Sequence, residues 1–585
     1  MPTITINGVA CEFDKGERIL DIANRCGIEI PQYCYHPGLS VPAQCRICLA
    51  EVHAPNPRND NKLEPMMGGK LLPTCATEAS DGMVVFANNP KSVANQKAVM
   101  EYLLINHPLD CPVCDQAGEC SLQDYSYKYG RGTSRFEETK VKQPKKDLGD
   151  NIYIYSDRCI MCTRCVRFTR EIPGTGEIMI DGRGNRSEID VFPGVPLNND
   201  LASNVVDLCP VGALLDKDFL FSQRVWFLKS SATIDGLTSS GDNVWADTNQ
   251  NRIHRFRPRE NMDVNTWWIT DEVRYSWKHV HSDARLASPL RREHGVLIET
   301  DWQRALDQTL GGARDAGRLA VLISPMLACE EAYALAKLAR TLDAGALLAM
   351  GPVPVDGSDT HFDNPAAGRP FVARAEKAPN ARGVQRVLSA IGGDITDFDG
   401  FCRALGHGSG HSEIGAVIVT GNYPSAWATS ALHNALGGKH VTLIDTLESD
   451  LVNDADVVLP GCTWLEKAGT FENAEGNLQA FDRALVPFGQ SKSEGQIALD
   501  ALAVLAGDDL DRPRAGYAAM IVDEGPGQVP AATASVATPL TEPFDAADVR
   551  EEMAADSPAL KVFVTDVTTP PVEPKKQPDA PIVEL

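Results

Sequence analysis

A multidomain chain is predicted, α+β in its first third and α/β through most of the rest, and three observations predict it. Thirteen of the sixteen cysteines fall within the first 209 of 585 residues, and the rest of the chain carries only Cys329, Cys402 and Cys462. Residues 3–13 alternate apolar and polar around an Asn7-Gly8 turn, the pattern of a β-hairpin. Beyond about residue 220, apolar segments of strand length recur with helical stretches between them. A chain of this length exceeds one hydrophobic core and divides into several domains.

The elements follow in order. Ile4 and Ile6, then Val9, Cys11 and Phe13, form the two arms of the hairpin. Ile19, Ile22, Ala23 and Cys26 come next at helical spacing, and Gly27 is placed to end that helix. Cys11 and Cys26 lie on apolar faces and are expected to be buried packing residues. A hairpin, a helix and a loop holding Cys34, Cys45 and Cys48 compose a small β-grasp, ferredoxin-like domain over residues 1–80. KSVANQKAVMEYLLIN (91–106) reads as a helix leading into His107, in a second domain over 81–130. The polar stretch 131–150, with KVKQPKK at 140–146, reads as a linker, and 151–220 as a third small domain.

LAVLIS (319–324), GAVIVTG (415–421), HVTLID (440–445) and ADVVLPG (455–461) are strand candidates, and CEEAYALAKLARTL (329–342) is a helix candidate. Strands alternating with helices predict a parallel sheet covered by helices. From about residue 506 the chain thins into Pro, Ala, Asp and Thr, so 506–585 is expected to be an extended or disordered tail.

Composition excludes some functions. The net charge of −24 argues against a nucleic-acid-binding surface, which would be basic. No run of eighteen apolar residues predicts a transmembrane helix. The N-terminal MPTITINGVACEF matches neither a secretory signal nor an Arg-rich transit segment, so a reducing cytoplasm is the expected compartment. Clustered cysteines there ligate metal more often than they form disulfides. GRGNR (182–186) lacks the context and spacing of a nucleotide loop.

Three constellations carry the chemistry. Cys34, Cys45, Cys48 and Cys75 place a C-x-x-C in a loop with two distant partners, in plan a plant-type [2Fe–2S] site. His107, Cys111, Cys114 and Cys120 suit zinc or a [4Fe–4S] cluster equally when taken alone. Cys159, Cys162 and Cys165, with a remote Cys209 in CPVGAL, form a C-x2-C-x2-C…C-P pattern specific to [4Fe–4S]. An iron–sulfur site there favours the same chemistry in the middle site. A neutral imidazole in place of a thiolate then makes that cluster less negative and by itself raises its potential. His36 sits close to Cys34 and is read as a loop or supporting residue rather than a ligand.

A [2Fe–2S] loop, H-x3-C-x2-C-x5-C, and C-x2-C-x2-C with a distant CPVGAL, in this order, resemble the large iron–sulfur subunit of respiratory complex I. That family comprises the large iron–sulfur subunit of bacterial NADH-quinone oxidoreductases and the 75 kDa subunit of mitochondria. The resemblance implies a [2Fe–2S] cluster on Cys34, Cys45, Cys48 and Cys75. It implies one [4Fe–4S] cluster on His107, Cys111, Cys114 and Cys120 and another on Cys159, Cys162, Cys165 and Cys209. It further implies electrons from NADH through FMN on a partner subunit. They would enter at the Cys34 site, pass the Cys159 site and then the His107 site, and leave to a downstream iron–sulfur subunit toward quinone. No catalytic residue is expected in this chain. The chain would lie peripherally on the cytoplasmic side of the bacterial inner membrane, or on the matrix side in a mitochondrion.

The second half resembles molybdopterin oxidoreductases through ADVVLPGCTWLEKAGTFENAEGNLQ (455–479). Where some relatives hold a fourth cluster, TIDGLTSSGDNV (233–244) offers Ile234, Leu237 and Gly241, with Thr270 at the fourth position, and none of these ligates iron. Residues 221–277 and 278–505 are thus expected to be degenerate, cluster-free and without molybdopterin, and Cys462 a buried thiol. Two alternatives remain: a formate dehydrogenase or NAD-reducing hydrogenase component, and a zinc-bound scaffold.

Overall fold

The computed structural model describes residues 1–406, 414–507 and 542–570. They form two compact units. The first is Met1–Leu228 with Trp267–Asp271 and His361–Phe371, and the second comprises Lys229–Thr266, Glu272–Thr360 and the described residues from Val372 onward.

In the first unit, the N-terminal sheet runs in the order Val9–Glu12, Thr3–Ile6, Val84–Phe86, Leu49–Asn56, Lys62–Pro65. Thr3–Ile6 pairs parallel with Val84–Phe86 although the hairpin beside it is antiparallel. Helix Ile19–Arg25 lays Ile19, Leu20, Ile22 and Ala23 against Ile4, Ile6, Val52 and Val85, which makes this a β-grasp domain. Cys11 is buried in that core as expected, whereas Cys26 is exposed. The helix ends at Arg25, so Cys26 falls off its apolar face and into the cap.

Helices Pro90–Leu104 and Ser121–Tyr129 bracket the loop that carries His107 and three cysteines. Asn89 caps the first helix by accepting from the Ser92 N–H at 2.8 Å. A third region pairs Lys145–Asp147, Ile152–Tyr155 and Leu214–Asp216, with helices Arg164–Glu171 and Asn204–Leu208 beside them. The stretch 131–150, expected to be a linker throughout, therefore ends in an edge strand. Its polarity is that of a solvated edge: Lys146 bonds Asp190 at 2.6 Å and Lys145 lies 3.7 Å from the centre of the Tyr153 ring.

The second unit opens with a three-stranded antiparallel sheet, Lys229–Ile234, Asn243–Asn249 and Arg252–Pro258. Its main sheet has eight strands in the order Val296–Glu299, Leu290–Glu293, Val457–Pro460, His440–Asp445, Ile414–Thr420, Arg318–Ile323, Leu347–Met350, Ile395–Thr396. The last six are parallel and doubly wound, and the chain order reverses between Ile414–Thr420 and Arg318–Ile323. Beyond that reversal, Met326 and Tyr423 are buried in one apolar cluster, and the Tyr423 hydroxyl donates to the Pro352 carbonyl at 2.7 Å.

The expected tail is corrected within 542–570. Ala546–Asp556 and Val562–Thr565 are helices, and Met553, Leu560 and Phe563 are fully buried in the core of the α/β sheet. Apolar residues at helical spacing sit there among Ala, Asp and Glu, so average composition hid them. The rest of that tail, 508–541 and 571–585, lies outside the described residues.

Candidate iron–sulfur sites

Twelve residues predicted as ligands lie in the first unit. At the first site, Cys34, Cys48 and Cys75 are buried and Cys45 is half-buried. The thiols meet in two pairs. Cys34 hydrogen-bonds to Cys45, and Cys48 Sγ lies 3.5 Å from Cys75 Sγ. In each pair a shared proton lowers one partner, Cys45 or Cys48, and raises the other. Ala43 and Arg46 adopt positive φ of 51° and 58° on either side of Cys45, and the N–H groups of Tyr33, Cys34 and Ile47 point at its sulfur. Two thiol pairs with converging amides fit the donor set of a [2Fe–2S] cluster, two cysteines per iron. His36 points elsewhere: its ring stacks on Trp268 at 5.4 Å, and burial depresses it to about 3.

At the third site one cavity is lined by all four of Cys159, Cys162, Cys165 and Cys209. Met161 and Thr163 take positive φ of 53° and 61° between the cysteines, and the Met161 N–H donates to Cys159 Sγ at 3.3 Å. The amides of Val211, Ala213 and Leu214 are aimed at Cys209. Burial pushes the four thiols up, Cys159 to about 12 and Cys209 to about 11. Without metal these sulfurs hold their protons; iron reverses that preference, so loading releases protons. A small cavity lined by four cysteines and by apolar side chains such as Ile154, Ile189 and Val211, with inward amides, fits a [4Fe–4S] cluster.

At the middle site Cys111 is exposed, whereas Cys114 and Cys120 are buried. Burial raises Cys114, and raises Cys120 to about 11 against the amides of Gln123 and Leu122. Cys111 lies within electrostatic reach of both. His107 is lowered to about 4 by burial and then by the Arg158 guanidinium, so its imidazole is neutral and has a lone pair to give. Arg158 also acts on Cys114, which places His107 and Cys114 around the same cation. Gly212 completes the cradle: a Cβ there would stand 2.2 Å from Cys114 Sγ.

No three His, Cys, Asp or Glu side chains among the described residues gather tightly enough to hold a single metal ion. An iron–sulfur cluster spreads its thiolates over several irons and needs no such convergence.

The sites adjoin one another. One apolar cluster contains Cys34, Cys120 and Cys162 in its core and packs Cys45, Cys159 and Cys209 around it. Tyr33, fully buried, lies within electrostatic reach of both Cys45 and Cys120, and its hydroxyl meets Met100 Sδ at 3.2 Å. The Cys209–Gly212 turn separates the third site from the second: Pro210 presents its carbonyl 3.9 Å from Cys120 Sγ and accepts from the Ser121 N–H at 3.2 Å. Sequence reasoning missed Tyr33, Arg158 and Gly212, because most of their contacts join segments about forty to a hundred residues apart; only the glycine inside CPVGAL carried a local signal.

Family profiles match in the same places. A 2Fe-2S iron-sulfur cluster binding domain matches residues 1–90, and the NADH-ubiquinone oxidoreductase-G iron-sulfur binding region matches 96–135. The NADH-quinone oxidoreductase subunit 3 ferredoxin-like domain matches 149–215, and molybdopterin oxidoreductase matches 405–503. Among curated proteins, the NADH-ubiquinone oxidoreductase 75 kDa subunit of Reclinomonas americana is 35% identical over 61% of this chain and 50% of its own length. The G subunit of the NADH-quinone oxidoreductase of Rickettsia conorii is 37% identical over 52% of this chain and 44% of its own. The 78 kDa mitochondrial subunit of the NADH-ubiquinone oxidoreductase of Neurospora crassa is 39% identical over 52% and 39%. The chain thus spans half or less of the length of these relatives. A solved NAD+-reducing [NiFe]-hydrogenase in the H2-reduced state matches 38% of this chain and 91% of its own at 25% identity, with a TM-score of 0.33. Over more than half its length, this chain is similar to these 75 kDa, 78 kDa and G subunits of NADH-quinone oxidoreductases.

Proposed function

We propose that this chain is the iron–sulfur electron-transfer subunit of a proton-translocating NADH:quinone oxidoreductase, relaying electrons from FMN on a partner subunit toward quinone. The reading assigns one [2Fe–2S] cluster to Cys34, Cys45, Cys48 and Cys75. It assigns two [4Fe–4S] clusters, one to His107, Cys111, Cys114 and Cys120 and one to Cys159, Cys162, Cys165 and Cys209. The observation that carries it is the single apolar cluster in which cysteines from all three sites pack together, because electron transfer requires redox centres that are close and screened from water. Bound clusters would supply reversible one-electron chemistry. The chain's own residues hold the sulfurs, aim amides at them and exclude solvent. Its partners on this reading are the FMN- and NADH-binding subunit and a downstream iron–sulfur subunit. No helix among the described residues is long and apolar enough to cross a membrane. Attachment on the cytoplasmic face, or the matrix face in a mitochondrion, would then come through the complex. In the α/β unit, Met326 and Tyr423 occupy the place beyond the strand-order reversal where such sheets take ligands. This supports a scaffold without molybdopterin.

Metal analysis of anaerobically purified chain tests the proposal. It requires about ten irons per chain with matching acid-labile sulfide, and neither zinc nor molybdenum in stoichiometric amount. About six irons with one zinc would make the His107 site structural. Stoichiometric molybdenum would favour a dehydrogenase.

A further inference from the structure

Two junctions join the three sites, and each holds arginine in a different state. At the junction of the Cys159 and His107 sites, Arg158 is 4% exposed and its charge is met by Asp110, through contacts of 3.1 and 2.9 Å. At the junction of the Cys34 and Cys159 sites stand Arg164 and Arg167, one turn apart on helix Arg164–Glu171. Arg167 donates to the Cys34 and Ser40 carbonyls, and Arg164 donates to the Tyr35 carbonyl at 2.5 Å and to the Leu208 carbonyl at 3.2 Å. Among the described residues neither guanidinium has a carboxylate within 4 Å, and both Nε atoms are buried without a partner. Arg167 faces Cys34 of one site and Cys162 of the other, with Arg164 and Glu171 as the charged neighbours on its own helix. Glu171 is turned onto Ser40, accepting its N–H at 2.8 Å.

We infer that Arg167 is a positioning residue that sets the reduction potentials of the Cys34 and Cys159 sites together, because its guanidinium, engaged in no ion pair among the described residues, lies between them. The inference rests on the proposal that both sites hold clusters. Each such site gains a negative charge on reduction, and a nearby cation whose field is not spent on a carboxylate favours the reduced form. Arg158 is neutralised by Asp110 and gives its junction less of this effect.

The test is a redox titration of the full chain, purified anaerobically with its clusters and followed by electron paramagnetic resonance, with iron and sulfide counted for each variant. R167Q is expected to lower the midpoint potential of the [2Fe–2S] signal and of one [4Fe–4S] signal, and to leave the second [4Fe–4S] signal in place. R167K keeps the charge and should stay near the parent. E171Q removes the nearest opposing charge and should move the same two signals upward. R170Q, at an exposed position of the same helix, is the control and should move neither. Unchanged midpoints in R167Q with full iron content would overturn the inference. If R167Q loses iron, E171Q decides, and an unmoved pair of signals there overturns it equally. A parent chain without cluster signals overturns the underlying proposal, which a missing shift alone does not.

Discussion

A methyl group on Gly212 would stand 2.2 Å from Cys114 Sγ, too close for any side chain. G212A is therefore expected to lose the His107-site signal in electron paramagnetic resonance while the [2Fe–2S] signal persists. H107C should keep a cluster but lower its potential, since a thiolate adds the negative charge that the imidazole withholds. C162S should lose the cluster of its own site, and unchanged iron content in that variant would refute the ligand assignment. At this scale the sequence was legible where contacts are local: the C-x2-C-x2-C spacing of Cys159, Cys162 and Cys165 corresponds to one cavity that all three line together with Cys209. Arg167 was not legible, because its partner carbonyls at Cys34 and Ser40 lie more than a hundred residues away. Cys26 was misjudged by one residue of helix length, which moved it from an apolar face to an exposed cap.

Among elements, the four central strands of the α/β sheet were legible because each is a continuous apolar run buried on both faces, whereas the edge hairpin Leu290–Glu293 and Val296–Glu299, polar and partly exposed, was not. The helix Cys329–Leu342 coincides with the stretch read from periodicity. Lys145–Asp147 and Ala546–Asp556 were not legible, the first because a solvated edge strand looks like a linker, the second because its few apolar residues are diluted by Ala and Glu. The second helix yields a test. Met553 is fully buried in the core of the α/β unit, so M553A should destabilise that unit by about 2–5 kcal/mol, read as a lower melting temperature of its transition. A mere tail would lose nothing. Asp545 caps the same helix by accepting from the Ala547 N–H at 2.7 Å, and D545A should cost about 1 kcal/mol.

Across the molecule, buried acids of the α/β unit give it a pH signature. Burial raises Asp445 and Asp235 from 3.8 to about 6. Their protonated forms favour the folded state, so the stability they contribute is complete below about pH 4 and is lost as pH rises toward 6. The melting temperature of this unit should fall across that window, and D445N should flatten the slope; an unaltered slope would show that Asp445 ionises normally. The division into a cysteine-bearing half and an α/β half was legible from cysteine placement alone, whereas the strand order of the sheet, set by contacts remote in sequence, was not. The Cys209–Gly212 turn carries a last consequence, for biogenesis. Cys209 closes one cavity while Pro210 and Gly212 wall the next, so four residues serve as a party wall between two rooms. Neither room can be furnished while that wall is out of place. On the proposed assignment, cluster insertion at one site would depend on order at the other, so G212A should lower iron at the Cys159 site as well as at the His107 site.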